Sequence, residues 1–181
     1  KSIGKSAKSS AVSKSAEKID LKGNIAIPGI VDMKAFVGEP GFEYKENFRT
    51  LSQAALAGGV TSIVTMPNTK PIIDNVSMVD FIIRRGRDKA KVNLFPCASI
   101  TRQMEGNQMT EFGLLKARGI IGFSDVNKTI QNSELMSRIM NYASYIDVLI
   151  MQHAEDYELA KNSCINQSEV ATRLGLQGVS D

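Results

Sequence analysis

The chain of 181 residues is long enough for one domain, and its 43% hydrophobic content is sufficient for a buried core. Its net charge is +3, and residues 1–22 hold six lysines against Glu17 and Asp20, so the rest of the chain carries −1. This basic leader has no arginine and no aromatic residue, which argues against nucleic-acid binding. The longest apolar runs are too short to cross a bilayer.

The two cysteines, Cys97 and Cys164, stand alone without the spacing of a metal site or a disulfide framework. We interpret them as free thiols. No charged start followed by a long apolar core marks a secretory signal. These features predict a cytoplasmic protein.

Residues 1–27 contain too few apolar residues to build a core of their own. Within them, the stretch IDLKGNIAI combines strand-forming residues with a Gly-Asn turn. We therefore expect small sheet elements in residues 1–27, packed beside a main domain that covers residues 28–181.

From residue 30 onward, strand-like and helix-like segments alternate. Five strands are predicted, at IVDMKAFV, VTSIVTM, KVNLFPCAS, IIGFS and DVLIMQH. Four helices are predicted between them, at YKENFRTLSQAALAGG, NVSMVDFIIRRGR, MTEFGLLKARG and NSELMSRIMNYASYI, the last capped by Asn132 or Ser133. This alternation predicts an α/β fold with a parallel sheet and helical crossovers.

Polar side chains cluster at the carboxyl ends of the predicted strands. They are Lys34, Asn68, Ser99, Asp125 and His153. In a (β/α) barrel these ends form the catalytic face, and no phosphate-binding glycine motif follows the first strand, so a barrel is favoured over an open sheet. A complete eight-stranded barrel needs about 250 residues, so we expect this sequence to supply the first five strands.

The stretches IPGIVDMKAFVGEPG, TMPNTKP, GIIGFSDVN, QHAED and VATRLGLQG resemble, in order and spacing, the dihydroorotase family of the amidohydrolase superfamily. The resemblance covers residues 20–178. It implies an eight-stranded TIM-type barrel with a small β-sandwich, to which residues 1–27 would contribute. It also implies zinc as the cofactor and, as the reaction, the metal-assisted opening of a cyclic amide in pyrimidine biosynthesis.

Three positions of the family site are substituted in this sequence. The family's His-x-His metal pair corresponds to Lys34 and Phe36, and its substrate-binding arginine corresponds to Gly38. Three other positions are retained: the substrate-contacting asparagine as Asn68, a metal-ligating aspartate as Asp125, and a metal-ligating histidine as His153. The second aspartate and the glycine of the family's Asp-Asp-Gly element are replaced by Val126 and Asn127.

These substitutions remove metal-binding chemistry. A protonated lysine has no free lone pair and phenylalanine has no donor atom, while a catalytic zinc usually takes three protein ligands. The chain holds one histidine in all. We therefore expect zinc to be absent or weakly bound, and we hypothesise that the ammonium of Lys34 takes the place of the metal and pairs with Asp125.

Three functions follow from this interpretation. The first is a catalytically inactive homologue that serves as a structural or assembly partner, in a homo-oligomer or a hetero-oligomer. The resemblance implies aspartate transcarbamoylase as a partner, because inactive barrels of this family associate with it. The second is an active cyclic amidohydrolase with an altered, mononuclear metal site that uses Asp125 and His153. The third is a lysine-dependent activity in which Lys34 forms a Schiff base.

Overall fold

The fold is built on one curled sheet of five parallel strands, seen in a computed structural model that describes residues 19–179. Along the sheet the strands follow chain order, each paired with the next. They are β1 (Ile30–Ala35), β2 (Val60–Thr65), β3 (Asn93–Ala98), β4 (Gly122–Ser124) and β5 (Leu149–Met151). The predicted α/β architecture with a parallel sheet is confirmed.

Helices occupy the connections between the strands, as the alternation predicted. They are α1 (Phe48–Ala57), α2 (Val76–Lys89), α3 (Phe112–Ala117) and α4 (Ser133–Tyr145), with a 3₁₀ turn at Arg102–Met104 before α3. Beyond β5 the chain forms α5 (Tyr157–Ala160), β6 (Ile165–Asn166), α6 (Glu169–Leu174) and β7 (Gly178–Val179). Strands β6 and β7 pair in parallel as a separate two-stranded sheet.

Asparagine fixes the start of three of the long helices. Asn47, Asn75 and Asn132 each accept a hydrogen bond in their side chain from a backbone N–H of the first helical turn. Such caps satisfy amides that have no partner inside the helix. Of the two caps predicted for α4, the structure selects Asn132. Helix α1 begins at Phe48, four residues later than the sequence pattern predicted, because Asn47 caps it there.

Two layers of apolar side chains hold the sheet. The outer layer packs the helices onto the sheet, and in it the rings of Phe112 and Phe123 stack with centroids 3.7 Å apart. The inner layer lies on the concave side and consists of Val64, Met66, Cys97, Met104 and Val126. The outer layer is the larger of the two, so the helices contribute most of the burial that stabilises the curled sheet.

The turn that follows β1 is tied to three other parts of the chain. The buried Glu39 carboxylate accepts a hydrogen bond from the Phe48 backbone N–H at 3.1 Å and an ion-paired bond from Arg85. The Lys70 backbone N–H donates to the Pro40 carbonyl at 3.0 Å. The turn therefore links α1, α2 and the loop after β2, and it fixes the position where β1 ends.

The beginning of the described chain, residues 19–29, contains a turn, in which the Asn24 N–H donates to the Leu21 carbonyl, but no strand. The rest of the predicted β-sandwich segment falls on residues 1–18, outside the described residues, so that domain stays a prediction. Within residues 19–179, no helix is long and apolar enough to cross a membrane.

Replacing Gly41 by alanine should destabilise the protein more than the same change at Gly59. Both glycines have positive φ, +96° and +79°, which costs an alanine about 1 kcal/mol. A Cβ at Gly41 would also lie 2.2 Å from the Lys70 carbonyl oxygen, whereas a Cβ at Gly59 would meet nothing within 4 Å. Urea unfolding of both variants measures the difference, and equal losses would contradict the close approach of the two loops.

Candidate functional site

The carboxyl ends of the five strands meet at one edge of the curled sheet, and we call this edge the mouth. The residues at the end of β1 determine which side chains face this mouth. Ala35 and Val37 are buried, Val37 in the outer layer. Because side chains alternate along a strand, Lys34 and Phe36 lie on the concave side. Both are exposed there.

The Lys34 ammonium reaches across the mouth to the loop after β4. Its Nζ donates to the Asn127 Oδ1 at 3.3 Å. Within residues 19–179, Lys34 makes no ion pair with any carboxylate. The predicted pairing of Lys34 with Asp125 is therefore wrong, because the ammonium bonds an amide oxygen two residues further along the chain.

The Asp125 carboxylate is buried and is hydrogen-bonded to the end of β3. Its Oδ1 accepts from the backbone N–H groups of Ile100 and Thr101 at 2.8 and 3.1 Å, and its Oδ2 accepts from the Thr101 hydroxyl. Burial raises the pKa of Asp125, although these hydrogen bonds and the charge of Lys128 oppose the increase. The cation near Asp125 is thus Lys128, not Lys34.

Val126 occupies the inner position at the end of β4. It has a positive φ of 58° and packs in the inner layer with Met66 and Cys97. Cys97 is fully buried, and this burial, with the nearby charge of Asp125, raises the pKa of its thiol. An apolar side chain and a neutral thiol therefore face the concave side below the mouth.

His153 follows β5 and remains partly exposed. Its Nε2 lies 3.3 Å from a carboxylate oxygen of Glu155, and its backbone carbonyl accepts a hydrogen bond from the Thr129 hydroxyl at 2.6 Å. Among the described residues, no hydrogen bond or ion pair joins His153, Asp125 and Asn68 to one another. Asp125 and His153 each contact neighbours of their own, and the Asn68 Oδ1 has no hydrogen-bond partner among the described residues.

Gly38 has no room for a side chain. A Cβ at this position would lie 2.3 Å from the Phe42 carbonyl oxygen and 2.7 Å from that of Glu46. The glycine is therefore required by the tight loop after β1. An arginine could not be accommodated here without moving that loop.

Aromatic rings line one side of the mouth. Phe36 and Phe42 have ring centroids 6.4 Å apart, and Phe42 is the same distance from Tyr44 in an edge-to-face arrangement. The Lys45 ammonium lies 5.3 Å from the centroid of the Phe42 ring. We call Phe36, Phe42 and Tyr44 the aromatic ledge.

Four buried polar atoms near the strand ends have no hydrogen-bond partner within the part of the chain that the structure describes. They are Thr65 Oγ1, Asn68 Oδ1, Ser99 Oγ and Gln152 Oε1. Leaving such atoms unpaired costs about 1–3 kcal/mol each. Unpaired polar atoms concentrated at one edge of a sheet are typical of a site that completes its hydrogen bonds with a ligand.

The side chains at the mouth do not fit a zinc centre. Lys34 and Phe36 offer no lone pair to a metal, Val126 is apolar, and the oxygens of Asp125 already accept hydrogen bonds from β3. Within residues 19–179, no group of three or more His, Cys, Asp or Glu side chains is arranged to hold a metal ion.

Comparison with known proteins identifies the family. The family model described as dihydro-orotase-like matches residues 23–181. The chain belongs to the dihydro-orotase-like family. Two similar relatives are both named dihydroorotase. That of Syntrophus aciditrophicus is 45% identical over 89% of this chain, and that of Trichlorobacter lovleyi is 41% identical over 99% of it.

The chain spans about two fifths of the length of these relatives, 38% of the first and 41% of the second. Among solved structures, the L-hydantoinase (dihydropyrimidinase) from Arthrobacter aurescens is similar, with a TM-score of 0.62 and 19% identity. The similarity covers 74% of this chain and 31% of that one. At this identity the likeness concerns the fold, and it supports the barrel-type arrangement of the five strands.

Sequence reasoning missed several residues of this dihydro-orotase-like mouth. Thr101 and Lys128 surround Asp125, and Asn127 receives Lys34. The contacts of Thr101 with Asp125 and of Lys34 with Asn127 join segments that lie 24 and 93 residues apart in the chain, so the local sequence pattern does not indicate them. Phe42 and Tyr44 could have been noticed as aromatic residues close behind Phe36.

Replacing Asp125 by alanine should lower the free energy of unfolding by about 2–4 kcal/mol, because the buried amides of Ile100 and Thr101 would lose their acceptor. Replacing the exposed Lys34 by methionine should change it by less than about 0.5 kcal/mol. Urea unfolding of the two variants and of the unmodified chain measures both changes in the free energy of unfolding. A loss with Lys34→Met as large as that with Asp125→Ala would restore the rejected pairing.

The raised pKa of Asp125 predicts a pH dependence. A carboxyl whose folded pKa is raised contributes stability in its neutral form, and that stability is lost as the pH rises through the raised pKa. Asparagine stays neutral at every pH. The unfolding free energy of the unmodified chain should therefore fall relative to that of Asp125→Asn as the pH rises above about 4. A difference that does not change with pH would contradict this prediction.

Proposed function

We propose that this chain forms a dihydroorotase-type barrel that does not carry out metal-dependent hydrolysis of cyclic amides. The observation that carries the proposal is the composition of the mouth. Its first strand ends in Lys34 and Phe36, and the Lys34 ammonium is hydrogen-bonded to Asn127 across the concave side. Hydrolysis in this family depends on a metal to polarise the amide and to activate water, and these side chains are not metal ligands.

Two further features support the proposal. The position of the family's substrate-binding arginine is Gly38, where a side chain would collide with the loop after β1. The retained Asp125 has a structural role, since its carboxylate joins the end of β3 to the end of β4. At both positions, a residue type that the family uses for substrate or metal binding is absent or engaged in holding the fold.

A barrel without catalytic activity can still bind another protein through its surface. We propose that the protein acts as a structural or assembly partner in a homo-oligomer or a hetero-oligomer, with aspartate transcarbamoylase as the partner that the family resemblance implies. Sedimentation velocity on the full chain, alone and mixed with aspartate transcarbamoylase from the same organism, tests this. A co-sedimenting complex supports the proposal, and a monomer in both samples contradicts it.

The alternative function is an active dihydroorotase with an altered, mononuclear site. What favours it is the 45% identity with a relative named dihydroorotase and the survival of Asn68, Asp125 and His153. In this alternative, His153 would supply a metal ligand and would have to give up its contact with Glu155.

An assay of dihydroorotate hydrolysis by the full chain, supplied with zinc, distinguishes the two proposed functions. We expect no turnover above that of a buffer control, and a zinc content well below one ion per chain after dialysis. A dihydroorotase of the same family that is active under identical conditions serves as the positive control. Turnover that is abolished in His153→Ala would contradict the proposal and establish the alternative.

A further inference from the structure

We propose that a groove on the outer surface, between the start of α1 and the end of α2, binds a phosphate group. The groove has a volume of about 260 Å³. It is lined by three cations and three other polar residues: Arg49, Arg85, Lys89, Glu39, Glu43 and Asn47. None of these residues belongs to the mouth, so this inference does not depend on the proposed function.

The Arg85 guanidinium is held at the groove by a buried carboxylate. Its Nε donates to one oxygen of Glu39, whose side chain is 4% exposed, and the other oxygen of Glu39 accepts from the Phe48 N–H at 3.1 Å. Within residues 19–179, the terminal amino groups of Arg85 make no hydrogen bond. A guanidinium fixed in this way offers paired donors to the oxygens of a phosphate.

Three more side chains of the groove, or parts of them, have donors to spare. In the part of the chain that the structure describes, neither Arg49 nor Lys89 forms an ion pair with a carboxylate. The Asn47 Oδ1 accepts from the N–H groups of Arg49 and Thr50, both at 3.1 Å, which leaves the Asn47 Nδ2 as a donor. A bound anion would accept from all three side chains.

The end of α2 adds a positive field to these contacts. Residues 84–91 contain one carboxylate, Asp88, and five cations: Arg84, Arg85, Arg87, Lys89 and Lys91. All six side chains are exposed. A surface of one predominant sign raises the local concentration of oppositely charged ligands, so this helix end attracts anions of more than one charge.

The lining of the groove favours a phosphate over a carboxylate. A phosphate ester presents three acceptor oxygens and up to two negative charges, and two arginines with a lysine match that set. A carboxylate is satisfied by a single arginine fork. The volume is below the range of about 300–1,000 Å³ that is typical of sites for drug-sized ligands, so the groove accommodates the phosphate group with at most a small attached group.

Glu43 is the one feature of the groove that opposes an anion. Its carboxylate accepts from the Gly41 N–H at 3.0 Å, and this hydrogen bond lowers the pKa of Glu43. Glu43 is therefore ionised at neutral pH, beside the three cations. Removing its charge should strengthen the binding of phosphate, whereas removing a cation should weaken it.

Isothermal titration calorimetry of the full chain at constant ionic strength tests the proposal, with inorganic phosphate and glycerol 3-phosphate as probes. We expect saturable binding at one site per chain, and weaker binding of acetate. Tighter binding of inorganic phosphate would assign the groove to the free anion, and tighter binding of glycerol 3-phosphate would assign it to a phosphate ester. Binding of neither probe would overturn the inference.

Variants locate the site in the groove. Lys89→Met and Arg49→Gln should each weaken binding by about tenfold. The matched controls are Lys91→Met and Arg84→Gln, the same changes at exposed cations of the same surface that do not line the groove. They should weaken binding by less than about twofold. Equal losses in Lys89→Met and Lys91→Met would show a diffuse attraction and overturn the assignment.

Glu43→Gln distinguishes binding in the groove from loss of structure, because it should strengthen binding by about two- to fivefold. Circular dichroism verifies that each variant is folded. Thermal unfolding gives a second readout, since a ligand that binds only the folded chain raises the Tm. The rise with phosphate should be smaller in Arg49→Gln than in Arg84→Gln. Unchanged or weaker binding in Glu43→Gln would contradict the proposed site.

Discussion

The arrangement of the mouth depends on the Asp125 carboxylate. It receives two backbone N–H groups and a hydroxyl from the segment that follows β3, and it is itself placed at the end of β4. The bonds hold two neighbouring strand ends in register where the sheet has lost its ladder hydrogen bonds. They also occupy the carboxylate oxygens, so a residue that the family resemblance assigns to a metal is used here to hold the fold.

Around this link the mouth combines three properties that do not belong to a zinc site. Lys34 supplies a positive charge held by an amide, Phe36 begins an aromatic ledge, and Val126 extends the apolar inner layer. Each substitution alone would weaken metal binding. Together they replace a cluster of electron-pair donors by a cation, an aromatic ring and an apolar side chain.

The sequence predicted the fold better than it predicted the site. Strands and helices followed from hydrophobic periodicity and from asparagine caps such as Asn132, which are local signals. The partner of Lys34 was predicted wrongly, because attraction between opposite charges suggested Asp125. Backbone amides of Ile100 and Thr101 had already satisfied that carboxylate, and no side-chain pattern reveals such donors. The residue pattern also does not predict the positive φ of Val126, which turns the chain after Asp125.

Diffraction from crystals of the full chain grown with zinc, recorded at the zinc absorption edge, shows whether the mouth binds a metal ion. We expect no anomalous peak at the carboxyl ends of β1–β5. We also expect the Lys34 Nζ to lie within hydrogen-bond distance of the Asn127 Oδ1. A strong zinc peak at the mouth, bound by His153 or by a reoriented Asp125, would contradict the first expectation.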